Sequence, residues 1–473
     1  MYEYIDAATT GKFHVEFTKI VLSRNDALPD ETPMEGKGYL AQNDKSFRLT
    51  FFPEGQEPID LFYFLRHLAT GGNLIPRGAF FTAHCVGLDG IRWVIEDILP
   101  GSDSGPGGSV VHANVRELRW NETLPGNSGG SPYGATLYFL GQHDFVANEI
   151  VKTEKTIGNN APSTSLSFAA ATIKDVQGVQ IRIQKHETYT TLSAWSDHPV
   201  PPTFRFAAWH ALEFSMGRVL ECVLTVERHN TTLSGIVRPW LDPNAQPYCE
   251  PPVMPYDLNT QQDYWPLFSK VLSRLMQADS ISEALSSCSS EVISVGNSLL
   301  GVQTLVRCVA VESLCNVISE SSAINDNSLK NDQERLVQHL DNSGYQERFI
   351  KRVKGFLGAM RGISAKDTLN SLLKDQKILE ESHIRNWSDL RHGRTHGRVV
   401  TGETAENDFN RMRAVLGLFY RLVFYMVGYT GPSKDYLKPE QPVFRQVTKA
   451  EMDKELAAMT QNNAESKVTR NGS

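Results

Sequence analysis

The chain has 473 residues, 40% of them hydrophobic and 21% charged, and a formal net charge of -7. That length allows two or three domains with a large buried core, and the composition is typical of a soluble globular protein. The acidic balance excludes a protein that coats nucleic acid without specificity, so any contact with nucleic acid must use a local basic patch.

Short β-strands dominate the first half of the sequence. Eight segments are rich in β-branched and aromatic residues and are separated by turn-forming residues. They are Lys12–Ser23, Ser46–Phe52, Ala79–Val86, Ile91–Ile98, Val110–Trp120, Ser165–Ile173, Val179–Gln184 and Val223–Glu227. A helix over Phe204–Leu220 is predicted to interrupt them, and the glycine-rich residues 101–109 and 125–132 are predicted to be loops. Residues 1–250 are therefore predicted to form a strand-rich region.

Six prolines crowd the stretch between Arg238 and Tyr256 and predict a boundary, because closely spaced prolines oppose both helix and strand. After it, five segments have the apolar spacing of helices. They are Tyr264–Ala278, Leu299–Ile318, Gln333–Leu340, Tyr345–Met360 and Asn407–Gly428. Residues 260–440 are therefore predicted to form a helical domain, with a polar loop over Glu320–Asp332, and residues 449–473 to form a flexible polar tail. The fold class predicted for the whole chain is α+β.

The cysteine spacing and the hydropathy pattern limit the location and the metal chemistry. None of the six cysteines forms a Cys-x2-Cys pair, which argues against a zinc ribbon or finger. The N-terminus lacks a basic-then-apolar signal sequence, and the longest apolar stretch, Ala414 to Tyr429, is short for a membrane span and contains Arg421. We expect a cytoplasmic protein with no membrane contact, no metal site and no cofactor.

The residues best suited to phosphodiester chemistry lie between Arg385 and Arg398, a basic segment that also contains glycine. Metal-independent cleavage of RNA needs a base for the ribose 2′-hydroxyl and a cation for the phosphate charge in the transition state. Histidine suits the first task because its ordinary pKa is about 6.5, and arginine suits the second because it stays charged. His396 and Arg391 are the predicted catalytic residues, and Arg394 and Arg398 are predicted to bind substrate phosphates.

The spacing of this pair leaves its geometry open. On an ideal helix, residues five apart point about 140° away from each other, so Arg391 and His396 share a face only if the segment departs from helix. Gly393 is one place for such a departure. Arg385 and His392, with six residues between them, form a competing pair. A solvated basic loop without any catalytic role is the structural alternative.

The segment from Leu390 to Gly397 resembles the Arg-x4-6-His signature of the HEPN superfamily of RNases and nucleic-acid-associated helical domains. The phrase from Val306 to Leu314 looks like the early bundle helix of large HEPN domains, and the resemblance covers residues 261–436. The strand-rich half before it is similar in layout to that of ApeA-type antiphage proteins.

This resemblance implies a strand-rich sensor or regulatory region followed by an all-α HEPN bundle. It implies a metal-independent endoribonuclease of bacterial antiphage defence (abortive infection), with Arg391 and His396 at its centre and RNA as its substrate. It also implies a homodimer that pairs two HEPN domains, and a phage-derived trigger for the first region. A non-catalytic module that binds RNA or a protein is the alternative. Glu312, in the predicted core helix, is interpreted as a structural carboxylate.

A second resemblance concerns trypsin-like proteases. Phe81 to Cys85 looks like their histidine phrase, residues 126–130 look like their nucleophile loop, and Asp97 or Asp103 would complete the set of His84, Asp and Ser128. Too few residues separate the histidine from the serine to build most of a second barrel. A strand end and a glycine-rich loop are the preferred interpretation.

Overall fold

A computed structural model describes most of the chain outside its C-terminal segment. The described residues are 2–25, 32–43, 45–54, 80–100, 110–124, 130–155, 163–239, 246–253, 261–321, 327–359, 364–375, 379–395, 402–434, 436 and 444–445. They belong to two compact units, one made of residues 1–205 with 220–246 and the other of residues 206–219 with 247–473. The predicted tail, residues 449–473, lies outside the described residues.

The first unit is rich in strands. Within its described residues it contains the helix α1 (Tyr2–Thr10) and fourteen antiparallel strands. The strands are β1 (His14–Arg24), β2 (Met34–Asn43), β3 (Ser46–Pro53), β4 (Phe81–Gly87), β5 (Arg92–Pro100), β6 (Val111–Val115), β7 (Leu118–Thr123), β8 (Tyr133–Leu140), β9 (Glu149–Lys155), β10 (Ser163–Val176), β11 (Val179–Lys185), β12 (Tyr189–Ser196), β13 (Cys222–His229) and β14 (Thr232–Val237).

Six of these strands close into a barrel. Their order is β4-β1-β2-β3-β6-β5, and β5 pairs back onto β4, with Cys85 opposite Trp93. In addition to its barrel partners β4 and β6, β5 pairs with β7, and Trp93 lies opposite Trp120 in that pairing. From β7 the sheet continues in the order β14-β13-β8-β12-β11-β10-β9. The fourteen described strands of this unit therefore form one antiparallel sheet, of which the first part is closed and the second part is open.

Alternation of side chains along the strands builds the core of this unit. In β4, Phe81, Ala83 and Cys85 are buried, while His84 between them is exposed. The buried aromatic rings of Phe13 and Trp93 contact each other edge to face inside the core.

The packing of the sheet requires a glycine at position 235. A Cβ added at Gly235 would lie 2.1 Å from Nε1 of Trp120 on the neighbouring strand.

The second unit contains nine helices within its described residues. They are α2 (Phe204–Met216), α3 (Tyr264–Leu275), α4 (Ser280–Ser294), α5 (Leu300–Ser321), α6 (Asn327–Asp341), α7 (Glu347–Ala359), α8 (Ala365–Asp375), α9 (Glu381–Thr395) and α10 (Gly402–Val427), with the first two residues of α2 assigned to the other unit. The helix α5 is central, because it packs against α4, α8, α9 and α10. A strand-rich first half and a helical second half agree with the predicted α+β class.

Several predicted elements need correction. The single strand predicted over Val110–Trp120 is two strands, β6 and β7, and the strands β2, β8, β9, β12 and β14 were not predicted. The loop predicted over Glu320–Asp332 is helical at both ends, because α5 continues to Ser321 and α6 begins at Asn327. The helices α1, α4, α8 and α9 were also missed. The basic segment is thus helical as far as Thr395 and does not leave the helix at Gly393.

The apolarity of α5 meets the criteria for a membrane span. In the part of the chain that the structure describes, this helix alone, over Leu300–Glu320, is long and apolar enough to cross a membrane by length and composition. The longest apolar stretch of the sequence, Ala414 to Tyr429, lies in α10 and just beyond its end, and it is mostly buried. In α5 one face is buried against four other helices, and the exposed residues of the other face include the apolar Val302, Leu305 and Val309.

Candidate functional site

The helix α9 carries the basic segment, and its apolar face fixes its position. Ile384, Trp387 and Leu390 recur every three residues and are buried, as expected for the packed side of a helix. The indole Nε1 of Trp387 donates a hydrogen bond of 3.4 Å to the backbone oxygen of Cys308 in α5. This contact anchors the turn of α9 that directly precedes Arg391.

Arg391 is held on two sides. Its Nε and Nη2 atoms donate to the two carboxylate oxygens of Glu312 in α5, with 3.4 Å between Nη2 and Oε2. Its guanidinium carbon lies 5.7 Å from the centre of the Trp387 ring, a cation–π distance. The side chain remains 42% exposed, against 28% for Glu312. The site therefore combines a fixed cation with access to solvent.

The pairing with Glu312 uses one edge of the guanidinium. A guanidinium has five N–H donors in a planar fork, so a side edge (Nε with Nη2) and an end edge (Nη1 with Nη2) can each address an oxyanion. Glu312 takes the side edge of Arg391. The end edge, formed by Nη1 and Nη2, is the second edge through which a guanidinium can address an oxyanion. The interpretation of Glu312 as a purely structural carboxylate is therefore incomplete, because it orients the predicted catalytic arginine.

The other predicted residues follow Arg391 along the chain. The backbone of Arg394 lies in α9, about 60° around the helix from Arg391, and its side chain is outside the described residues. His396 and Arg398 are outside them as well, and His396 directly follows Thr395, the last residue of α9. The pairing of Arg391 with His396 stays a prediction.

The competing pair lies entirely on α9. Arg385 and His392 are both exposed. Seven residues apart, they lie about 20° from each other around the helix and about 10 Å apart along its axis. They share a face but lie two turns apart. His396 is closer in sequence to Arg391, at five positions, than His392 is to Arg385, at seven. The structure thus leaves this pair as an alternative that a matched variant can test.

A buried polar cluster in the same unit was not predicted. Arg307 of α5 is 4% exposed, and its Nη2 lies 3.8 Å from Sγ of Cys249. The hydroxyl of Tyr420 lies 3.4 Å from the same sulfur and donates a bond of 2.6 Å to the backbone oxygen of Glu250. Burial raises the pKa of the Cys249 thiol and raises that of Tyr420 well above its ordinary value. Both groups are thus neutral near pH 7, and the cluster fixes residues 249–250 against α10.

A second buried contact joins α9 to α10. Nδ1 of His383 lies 3.2 Å from the backbone nitrogen of Glu380 and 3.4 Å from Nη1 of Arg421. Both of these neighbours are donors, so Nδ1 accepts and the imidazole carries its proton on Nε2. His383 is 1% exposed, which makes it a packing residue and not a group that meets substrate. Arg307 and Arg421 each interrupt an apolar run, in α5 and α10 respectively. Such an arginine was the sequence signal that could have predicted the contacts with Cys249 and His383.

The protease-like set is only partly described. His84 is an exposed residue of β4 opposite Val94 of β5. Asp97 has a positive φ of 52° and accepts a hydrogen bond of 3.3 Å from Asn25. Ser128 and Asp103 lie outside the described residues, so that resemblance gains no support.

Among the residues with described positions, no group of three or more His, Cys, Asp or Glu side chains is placed to hold a metal ion. Comparison of the chain with protein-family models, with curated proteins and with solved structures finds no match.

Proposed function

We propose that this protein is a metal-independent endoribonuclease of the HEPN type, with Arg391 and His396 as its catalytic residues. The observation that carries the proposal is the state of Arg391. It is oriented by Glu312 and Trp387, remains 42% exposed, and lies one turn before the end of α9. A preorganised cation with access to solvent is what stabilisation of a phosphate transition state requires.

In the proposed reaction the ribose 2′-oxygen attacks the adjacent phosphorus while His396 accepts the proton of the 2′-hydroxyl. The bond between phosphorus and the 5′-oxygen breaks, and that oxygen takes a proton from the imidazolium or from water. The products carry a 2′,3′-cyclic phosphate and a 5′-hydroxyl. Arg391 donates to the phosphate oxygens as charge develops on them, and Arg394 and Arg398 bind neighbouring phosphates.

An exposed apolar row on α5 supports the proposed homodimer. Val302, Leu305 and Val309 of α5, with Leu299 directly before the helix, recur every three to four residues and are all exposed. The next position at this spacing is Glu312, the partner of Arg391. A second copy that covered this row would bury apolar surface and bring two Arg391 residues to one interface.

The proposed role in antiphage defence, and a phage-derived trigger acting on the strand-rich unit, rest on the resemblance to ApeA-type proteins. The proposed cytoplasmic location rests on the sequence pattern alone.

The test is cleavage of total cellular RNA in the presence of a chelator. The wild-type protein is expected to produce new cyclic-phosphate ends. His396→Ala is expected to lower the rate by about 10²- to 10⁴-fold, because it removes the general base. His392→Ala is the matched control, since it removes an exposed histidine of the competing pair, and it is expected to cleave at the wild-type rate. Loss of cleavage with chelator, or an unchanged rate in His396→Ala, would contradict the mechanism.

A non-catalytic RNA- or protein-binding module is the second candidate. The pairing of Arg391 with a carboxylate favours it, because part of the charge that a substrate phosphate would meet is already neutralised. In that case Arg391→Ala weakens binding of RNA or of a partner protein, and the wild-type protein produces no cleaved ends under any condition tested.

A further inference from the structure

Two exposed aromatic rings mark the start of α7. Tyr345 is 60% exposed and Phe349 is 52% exposed, and their ring centres lie 5.5 Å apart at an angle of 53°. Large aromatic side chains contribute most to stability when buried, so two rings that contact each other in solvent are unusual. They form a ready apolar platform.

Positive charge surrounds these rings. Arg348, Lys351 and Arg352 are exposed, and Glu347 is the acidic residue among residues 345–354. At 100° per residue, Arg348, Phe349 and Arg352 fall within an arc of about 100° on α7, and Tyr345, two residues before the helix, contacts the ring of Phe349. We name these four residues the ring face. It is basic in a chain whose net charge is -7, and it alternates rings with guanidinium groups.

Three other described side chains of α7 are less exposed. Ile350 and Val353 are half-buried, and Nζ of Lys354 forms an ion pair of 2.5 Å with Asp341 at the end of α6. The aliphatic Ile350 and Val353 are therefore partly covered, while the ring of Phe349 is open to solvent. This division matters because a helix that lies on a membrane inserts its whole apolar face, aliphatic and aromatic together.

We propose that the ring face binds single-stranded RNA, with bases stacked on Tyr345 and Phe349 and phosphates bound by Arg348 and Arg352. Aromatic rings interleaved with cations are the elements that bind single strands without reading their sequence, because every base has a stacking face. The inference deepens the proposed function, on which it rests for the choice of RNA: it adds a substrate-binding surface on a different helix from Arg391.

The experiment measures anisotropy of a fluorescent oligouridine bound to the full-length chain carrying His396→Ala, so that no RNA is cut. Added Phe349→Ala is expected to weaken binding by roughly 5- to 100-fold. Arg348→Gln is expected to lower the slope of log affinity against log salt by about 0.7. Phe168→Ala, which removes a ring that is 67% exposed from β10 in the other unit, is the matched control and is expected to change nothing.

Three outcomes would overturn the proposal. The first is that the chain binds no oligouridine, and the second is that Phe349→Ala and Tyr345→Ala both bind within twofold of the parent. The third is that the same variants abolish binding to phosphatidylserine vesicles and leave RNA binding intact, which would identify a membrane surface. An oligodeoxyuridine that binds more tightly than oligouridine would change the ligand to single-stranded DNA and refute the choice of RNA.

The two proposals fail separately. If the ring-face variants lose binding while wild type never cleaves RNA, the binding surface stands and the endoribonuclease does not. If the ring-face variants bind RNA normally while cleavage depends on His396, the endoribonuclease stands and the ring-face binding surface does not.

Discussion

Replacement of Glu312 by glutamine tests whether this carboxylate orients Arg391 or competes with the substrate for it. The change keeps the size of the side chain and one oxygen acceptor, but it removes the charge that faces Nε and Nη2 of Arg391. If Glu312 orients the guanidinium, cleavage should slow while RNA binding does not weaken.

The exposure of the pair sets the size of each effect. Arg391 is 42% exposed and Glu312 is 28% exposed, so the ion pair should stabilise the fold by at most about 1 kcal/mol. Loss of about 1 kcal/mol of stability in Glu312→Gln would lower Tm by roughly 2 to 4 °C for a unit of this size. The same limit applies to the orienting interaction, so its loss should slow cleavage by at most roughly fivefold.

RNA affinity should change in the opposite direction. A carboxylate about 6 Å from a phosphate repels it by roughly 0.7 kcal/mol in water, so its neutralisation should tighten binding by about threefold. Glu320→Gln is the control, because it removes an exposed carboxylate from the same helix.

The assay is single-turnover cleavage at saturating protein, with binding measured in parallel. A Glu312→Gln variant that cleaves as fast as wild type, or faster, would refute the orienting role and show that Glu312 opposes the substrate.

Three further predictions follow from other parts of the helical unit. Gly217 (φ +62°) and Gly428 (φ +66°) share a left-handed backbone, but a Cβ at Gly217 would lie 2.2 Å from a backbone oxygen, whereas Gly428 has open space. Urea unfolding should therefore give a loss of about 1 kcal/mol for Gly428→Ala and about 2 to 4 kcal/mol for Gly217→Ala, and equal losses would refute the close approach. Val309→Glu should convert a homodimer to a monomer by light scattering, and a monomeric wild type would contradict the proposed interface. The hydrogen bond from Arg274 lowers the pKa of Asp279 to about 2, so its stabilising effect is present above about pH 4 and is lost as the pH falls towards 2. The difference in unfolding free energy between wild type and Asp279→Asn should shrink over that range, and a constant difference would refute the assignment.

The strand pattern could be predicted where apolar and polar residues alternate clearly. The missed strand β2 contains Gly36 and Gly38, and glycine is disfavoured in strands. A Cβ at Gly36 would lie 2.1 Å from the backbone oxygen of Phe52, and one at Gly38 would lie 2.0 Å from that of Thr50. Both glycines are thus required by the neighbouring strand β3. Only the partner strand makes that requirement visible.

The site shows the same limit. The spacing of Arg391 and His396 was visible in the sequence. The helix that extends to Thr395 was not predicted, because basic residues and Gly393 suggest a loop. The helix forms because Ile384 and Trp387 pack against the unit, and tertiary packing outweighs local preference. The pairing of Arg391 with Glu312 joins residues 79 positions apart, and no local pattern encodes such a contact.

The helix α2 has a consequence for synthesis of the chain on the ribosome. Its residues from Phe206 onward belong to the helical unit, and the buried ring of Phe214 packs edge-on at 5.6 Å against Tyr420 of α10. The strands β13 and β14, made soon after α2, pair with β8 and β7, which are already complete. The sheet can therefore form early, while α2 meets Ser290 of α4 80 residues after His210 and waits about 200 residues for Tyr420 of α10. At ordinary translation rates that delay is roughly 10 to 40 s, during which an apolar helix face is open to chaperones or to another nascent chain.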